Sequence, residues 1–314
     1  MRGLKIALIG SFIGQEQDEW LSALKGSLPQ ADWQPAEVHG PALEVAVVAS
    51  PAKGALQGFP ALRLIQSLWA GVDRLMADPS IPQNVPLARM VDPAMNAAMT
   101  ETALWATLGL HRGFFRYGLQ QRQSQWKAWG QSRSSEVPVL VLGLGVLGTQ
   151  VACALRSLGY PVTAWRQHAG REVPAGVTCI HGLSALHPAL AQSRIVINLL
   201  PLTPSTRGLI DAQFLRRLPH GAGLVNLARG GHVVDGDLLQ ALDSGAVGHA
   251  VLDVFNVEPL PADHPYWLHP QVTLLPHIAA LTDPRSAAAV VAANVGRLGR
   301  GEALLHTVDR QRGY

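Results

Sequence analysis

Short apolar runs alternate with stretches of helical periodicity along most of the chain. Toward the N-terminus, "KIALIG", "EVAVVAS" and "ALRLIQSLWAG" have the length and aliphatic content of buried strands, and "EQDEWLSALKGSL" spaces its apolar positions for one face of a helix. The opening "MRGLKIALIGSFIG" places basic residues ahead of its apolar run, as a leader does. The run is short, no small-x-small cleavage site follows, and the chain passes directly into "QEQDEW", so a first buried strand is expected instead. "SIPQNVPLARMVDPAMN" breaks the alternation with Pro and Asn. Beyond it, "MTETALWATLGLHRGFFRYGLQQRQSQW" keeps helical periodicity with Thr100 as its N-cap, and a long helix starting there marks a domain boundary.

From residue 137 the alternation becomes regular. "VPVLVLGLG", "PVTAWR", "SRIVINLLP", "GAGLVNLA" and "GHAVLDVF" read as strands, with "LGTQVACALRSLG" as the helix after the first. Near-continuous apolar strands with helices between them predict a parallel sheet covered on both faces. The tail "DPRSAAAVVAANVGRLGRGEAL" is a helix after a Pro-marked break, placed to return to the first domain. The expected fold class is α/β in two domains, residues 1–97 with 283–314 and residues 98–282. A chain of 314 residues supports two, because single cores stop growing at roughly 250 to 300 residues.

Composition removes whole classes of function. With 48% hydrophobic and 15% charged residues the chain is expected to be compact and soluble, not disordered. A net charge of +3, from 25 basic and 22 acidic residues, is too small and too dispersed for a nucleic-acid surface. No run approaches the about 18 apolar residues of a membrane span. Cys153 and Cys179 have no metal-ligand spacing, which leaves no metal site expected and fits a reducing, cytoplasmic setting.

Chemistry enters at "VLVLGLGVLGTQ". Gly143, Gly145 and Gly148 have G-x-G-x-x-G spacing directly after an apolar strand and at the mouth of a helix. The first suits a tight turn, the second lets backbone approach a pyrophosphate, and the third lets helix and strand pack closely. The helix start at Val146 and Leu147 adds amide groups and positive dipole for the phosphates. An NAD site normally follows such a cluster with an acid that binds the ribose hydroxyls. Here "VTAWRQHAG" supplies Arg166, Gln167 and His168 instead. A guanidinium at that strand end can pair with a 2′-phosphate, with His168 and Arg171 adding positive potential, so NADP is favoured over NAD. Taken alone, Arg166 also reads as a solvated surface arginine.

Three later segments, "LVNLARGGHVVD", "LDVFNVEPLP" and "LLPHIAAL", combine with "LGLGVLG" and "NLLPLTPSTRGLI" in a pattern that resembles the D-isomer-specific 2-hydroxyacid dehydrogenases. "LWAGVD", "MTETALWATLGLHR" and "QWKAW" look most like the glyoxylate/hydroxypyruvate reductase A branch. The resemblance implies a catalytic set of Arg229, Glu258 and His277. Read singly, Arg229 is equally a loop cap, Glu258 a turn residue and His277 a buried structural histidine. It also implies backbone contacts to the substrate carboxylate from Ala70 and Gly71, with Val72 beside them. Leu200, Pro201 and Thr206 would run along the cofactor, and Asp253 would lie near the nicotinamide amide. A flavodoxin-like substrate domain, a Rossmann domain, an active site in the cleft between them and a homodimer complete the implied picture.

The chain departs from that branch at Trp69, where the branch carries a small residue, and at Ala49, where it carries a tryptophan. Trp69 therefore reads either as a wall of the substrate pocket or as a ring packed beneath its loop. "HIAA" lacks the Gly or Ser seen after the histidine, and Ala is small enough to leave the chemistry intact. Three functions remain open: an NADPH-dependent reductase of glyoxylate or hydroxypyruvate, an NAD-linked dehydrogenase of a bulkier 2-hydroxy acid, and a nucleotide-sensing, corepressor-like protein on the same fold.

Overall fold

The computed structural model describes residues 3–35, 40–170 and 172–314. Contacts divide the chain into two compact units, Met1–Met95 with Thr282–Tyr314 and Asn96–Leu281. The first begins β1 (Lys5–Gly10), α1 (Glu16–Ser27), β2 (Asp32–Gln34), β3 (Val45–Ala49), β4 (Leu64–Ser67), α2 (Asp73–Met76) and β5 (Leu87–Ala88). All five strands are parallel in the order β2-β1-β3-β4-β5, the flavodoxin-like arrangement. Every residue of β3 is buried, which is why its sequence is an unbroken apolar run. Only the middle of "ALRLIQSLWAG" is strand; its last four residues, "LWAG", follow at the C-terminal end of β4.

The helix α3 (Pro93–His111) starts earlier than its periodicity predicts. Asp92 is the cap: its carboxylate accepts from the amides of Ala94 at 3.2 Å and Met95 at 3.3 Å, and Pro93 fits the first helical position. Thr100 lies inside the helix, where its hydroxyl donates to the Asn96 carbonyl at 2.9 Å, so it is not the N-cap. The predicted single helix is also broken. Gly113 adopts φ 70°, a conformation that ends one helix and starts the separate α4 (Phe114–Arg122). The Phe115 ring stacks on His249 at 4.7 Å and fixes α4 against the sheet of the second unit.

That sheet and the helices covering it follow in chain order as β6 (Val139–Leu142), α5 (Val146–Ser157), β7 (Val162–Arg166), β8 (Thr178–His181), α6 (Leu183–Gln192), β9 (Ile195–Asn198), α7 (Ala212–Leu215), β10 (Ala222–Asn226), α8 (Asp235–Asp243), β11 (Val247–Leu252) and β12 (Val272–Leu274). Its strands are parallel in the order β12-β11-β10-β9-β6-β7-β8, the doubly wound Rossmann plan with one further strand. Strand alternation divides the core between two faces. Val139, Val141, Ile195 and Ile197 pack with Val151 and Leu155 of α5 on one side; Leu140, Leu142 and Val196 pack with Leu186 and Leu190 of α6 on the other. Each such fully buried aliphatic contributes about 1.5–3 kcal/mol.

The chain then returns to the first unit as α9 (Pro284–Arg300), capped by Asp283, whose carboxylate accepts from the Arg285 amide at 2.9 Å. Ala287, Ala288, Val291 and Val295 pack with Trp20 and Leu24 of α1. Among the described residues, no helix is long and apolar enough to cross a membrane.

Candidate active site

In the second unit the residues singled out by motif gather at one edge of the sheet. Gly143 follows β6, Arg166 ends β7, Leu200 and Pro201 follow β9, Arg229 follows β10, Asp253 follows β11 and His277 follows β12. All are at the C-terminal ends of parallel strands, and β6 and β9 flank the point where the winding reverses. Doubly wound sheets hold their ligands there.

The glycines fit a dinucleotide. Gly143 has φ 98°, and a Cβ on it would lie 2.9 Å from the Leu199 carbonyl oxygen. A Cβ on Gly148 would collide with the Gly143 carbonyl oxygen. Both glycines are therefore required by the protein's own packing. Gly145 is not: a Cβ there would meet nothing within 4 Å, so no contact within the protein requires glycine at this position. The first intrahelical bond of α5 runs from the Thr149 amide to the Gly145 carbonyl at 2.9 Å. The amides of Val146, Leu147 and Gly148 precede it and face the helix start, where anions bind. Arg166 is half-buried at the end of β7, with Gln167 and the exposed His168 next to it. Arg171 lies outside the described residues.

On the neighbouring strand ends, His277 Nδ1 donates to Glu258 Oε2 at 2.8 Å. Glu258 also accepts the Phe255 amide at 2.9 Å on its other oxygen, which locks the carboxylate. Burial pushes the Glu258 carboxyl up, but the bonds from His277 and Phe255 and the charges of His277 and Arg229 outweigh it and hold it below its ordinary value. The His277 backbone sits in the left-handed region at φ 56°, uncommon for a side-chain-bearing residue. Asp253 holds it there. Its carbonyl accepts the His277 amide at 2.9 Å, and its Oδ1 accepts the amides of Ile278 at 2.7 Å and Ala279 at 3.1 Å. Burial, only partly offset by those two bonds, raises the Asp253 pKa.

Arg229 is half-buried, and its Nη1 donates to the Ala228 carbonyl at 2.7 Å. The next residue must be glycine, because a Cβ on Gly230 would collide with the Phe255 backbone. That contact presses the Arg229 loop against the segment carrying Glu258. Thr206 is buried, and its hydroxyl donates to the Pro201 carbonyl at 2.8 Å and accepts the Thr203 amide at 2.9 Å, so it shapes the turn after β9. Asn198, Asn226 and His232 are wholly buried near Arg229; in the sequence the two asparagines stand out as polar residues closing apolar strands, and His232 carries no such mark. His264 and His269 lie near Asp235 and Asp243, at 4.0 Å and 3.3 Å. Among the described residues no group of His, Cys, Asp and Glu could hold a metal ion.

Trp69, Ala70 and Gly71 belong to the first unit, in the loop after β4. The Trp69 indole donates to Ser50 Oγ at 3.1 Å and meets Trp20 edge-on at 6.2 Å, packing partly into the first unit's core.

The family model for the D-isomer specific 2-hydroxyacid dehydrogenase, NAD binding domain, matches residues 104–279. A D-isomer specific 2-hydroxyacid dehydrogenase from Xanthobacter autotrophicus Py2, solved with NADPH and MES, is 38% identical over 100% of both chains, with a TM-score of 0.92. An NADPH-dependent glyoxylate/hydroxypyruvate reductase from Sinorhizobium meliloti, solved with NADP and sulfate, is 31% identical over 99% of this chain and 100% of its own, with a TM-score of 0.91. A probable 2-hydroxyacid dehydrogenase from Rhizobium etli, solved with NADP, HEPES and L(+)-tartaric acid, is 29% identical over 100% of both chains, with a TM-score of 0.91.

Proposed function

The chain belongs to the D-isomer specific 2-hydroxyacid dehydrogenase family, and from that premise we propose that it reduces glyoxylate or hydroxypyruvate to the 2-hydroxy acid with NADPH as reductant. One observation carries the reading. His277 is tied through Nδ1 to Glu258 at 2.8 Å, which leaves Nε2 as the nitrogen that hands over a proton. Arg229, always charged and planar, holds the substrate carboxylate and polarises the C2 carbonyl. The dinucleotide is held by the backbone of Gly143, Gly145, Val146, Leu147 and Gly148, with Arg166, Leu200, Pro201, Thr206 and Asp253 along it. When bound, it supplies the hydride that adds to C2. His277 delivers its proton to the C2 oxygen as charge develops there, and the Glu258 carboxylate fixes the ring. The lowered Glu258 pKa keeps that carboxylate ionised below its ordinary range.

We assign NADP over NAD because Arg166 stands where an acid would bind the ribose, and because the relatives described above hold NADPH or NADP. In the same reading the amides of Ala70 and Gly71 serve the substrate carboxylate, and Trp69 limits the size of the acid. The chain is a homodimer formed through its nucleotide-binding unit, where Trp105, Phe114, Trp126 and Trp129 are exposed.

The test is to follow oxidation of NADPH and of NADH against a panel of 2-oxo acids of increasing size, for the wild type and Trp69→Ala. Turnover of the smallest acids with NADPH is expected, together with a shift of the variant toward larger ones. NADPH binding without turnover of any acid would overturn the enzymatic reading, and unchanged selectivity would remove Trp69 from it.

A further inference from the structure

Beside Arg229 lies a cluster of buried polar side chains that the reaction as drawn does not use. Asn198 and Asn226 are paired neighbours at the ends of β9 and β10. Asn198 Nδ2 donates to Asn226 Oδ1 at 2.9 Å, and Asn226 Nδ2 donates to the Arg229 carbonyl at 3.0 Å. His232 meets the same carbonyl with Nδ1 at 3.1 Å and meets the Pro201 carbonyl with Nε2 at 3.3 Å. The Thr206 hydroxyl reaches Pro201 from its other side at 2.8 Å. Asn198, Asn226 and His232 are each 0% exposed, so this arrangement is sealed from solvent. Buried polar groups are costly unless bonded, and a fully connected set holds one geometry.

The ring of His232 touches two carbonyl oxygens, which accept and never donate. A neutral ring can donate to one of them, a protonated ring to both. Its shorter contact is with Arg229. We propose that His232 is a positioning residue: its Nδ1–H, with the Asn226 amide, fixes the Arg229 peptide, while its buried ring lies against the Pro201 carbonyl. The proposal rests on the reading of Arg229 as the group that holds the substrate carboxylate. Displacing such a group by about 1 Å costs on the order of 10²-fold in rate.

Three substitutions separate the two ring nitrogens. Asn puts its amide nitrogen where Nδ1 sits and can keep the bond to Arg229. Gln reaches the Nε2 position and can meet only the Pro201 carbonyl, while Leu meets neither carbonyl. With glyoxylate and NADPH, His232→Asn should retain kcat/KM within about 3-fold of wild type, and His232→Gln and His232→Leu should each lose about 10-fold or more. In an Arg229→Lys background, His232→Leu should cost less than about 2-fold further, because the two changes act on one interaction. A ranking in which Asn is no better than Gln, or an equal loss in both backgrounds, overturns the proposal.

If the variants do not fold, NMR of the wild type with isotope-labelled histidine decides: a proton on Nδ1 of His232 is required, and a ring protonated on Nε2 alone refutes it. If the wild type reduces no 2-oxo acid, the functional reading fails separately. Oxalate titration of the NADPH-bound proteins then judges His232, with the same ranking expected and a flat ranking or no binding counting against it.

Discussion

Arg166 shows how one position can bear on specificity. A half-buried guanidinium ends β7, where the ribose-binding acid of an NAD site would stand. Charge-assisted bonds to a phosphate contribute about 1.5–3 kcal/mol, so Arg166→Asp should weaken NADPH by about 10- to 100-fold and leave NADH nearly unchanged. Fluorescence titration of both nucleotides checks this; equal weakening would mean that Arg166 does not read the 2′-phosphate. Arg166 is legible in the sequence because it has a fixed offset from the glycines. Glu258 and His277 are legible only together, since they lie 19 positions apart and each alone reads as a turn or packing residue. What no spacing discloses is the support beneath them. The left-handed backbone of His277 and the amide bonds from Ile278 and Ala279 to Asp253 exist only after β11 and β12 are placed side by side.

Among the elements, the turn from β6 into α5 makes separable demands on its glycines. Gly148→Ala forces a methyl group into the Gly143 carbonyl, so it should lower the melting temperature by several degrees, in keeping with about 1–3 kcal/mol of overpacking. Gly145→Ala meets open space, so folding should tolerate it while NADPH affinity falls. Thermal melts and nucleotide titrations of the two variants distinguish these outcomes; equal effects on stability would mean that Gly145 is structural. The central strands β6, β7, β9, β10 and β11 are readable as apolar runs because both faces are covered. The edge strands β8 and β12 are missed for the converse reason: their residues are exposed or half-buried, and the strands are only four and three residues long. Thr100 misleads because hydroxyl residues inside a helix bond the preceding turn as readily as they cap. The true start at Asp92 is hidden in a Pro-rich stretch that reads as a break.

For the whole molecule, both sheets are parallel and α9 returns the C-terminus to the first unit. Parallel neighbours need long crossovers, usually helical, which is why the alternation of runs predicts the α/β class. Association is not written in that alternation. The exposed Trp105, Phe114, Trp126 and Trp129 support a dimer, and light scattering should give twice the chain mass; a monomer at micromolar concentration would contradict it. In the proposed reaction His277, held by Glu258, protonates a 2-oxo acid reduced with NADPH. Its most direct test is the glyoxylate-dependent loss of NADPH absorbance in the wild type and in His277→Gln, with NADPH affinity measured in parallel. Turnover by the wild type is expected, with a kcat lower by about 10²- to 10⁴-fold in the variant at similar NADPH affinity. Equal kcat values in the two proteins would contradict it.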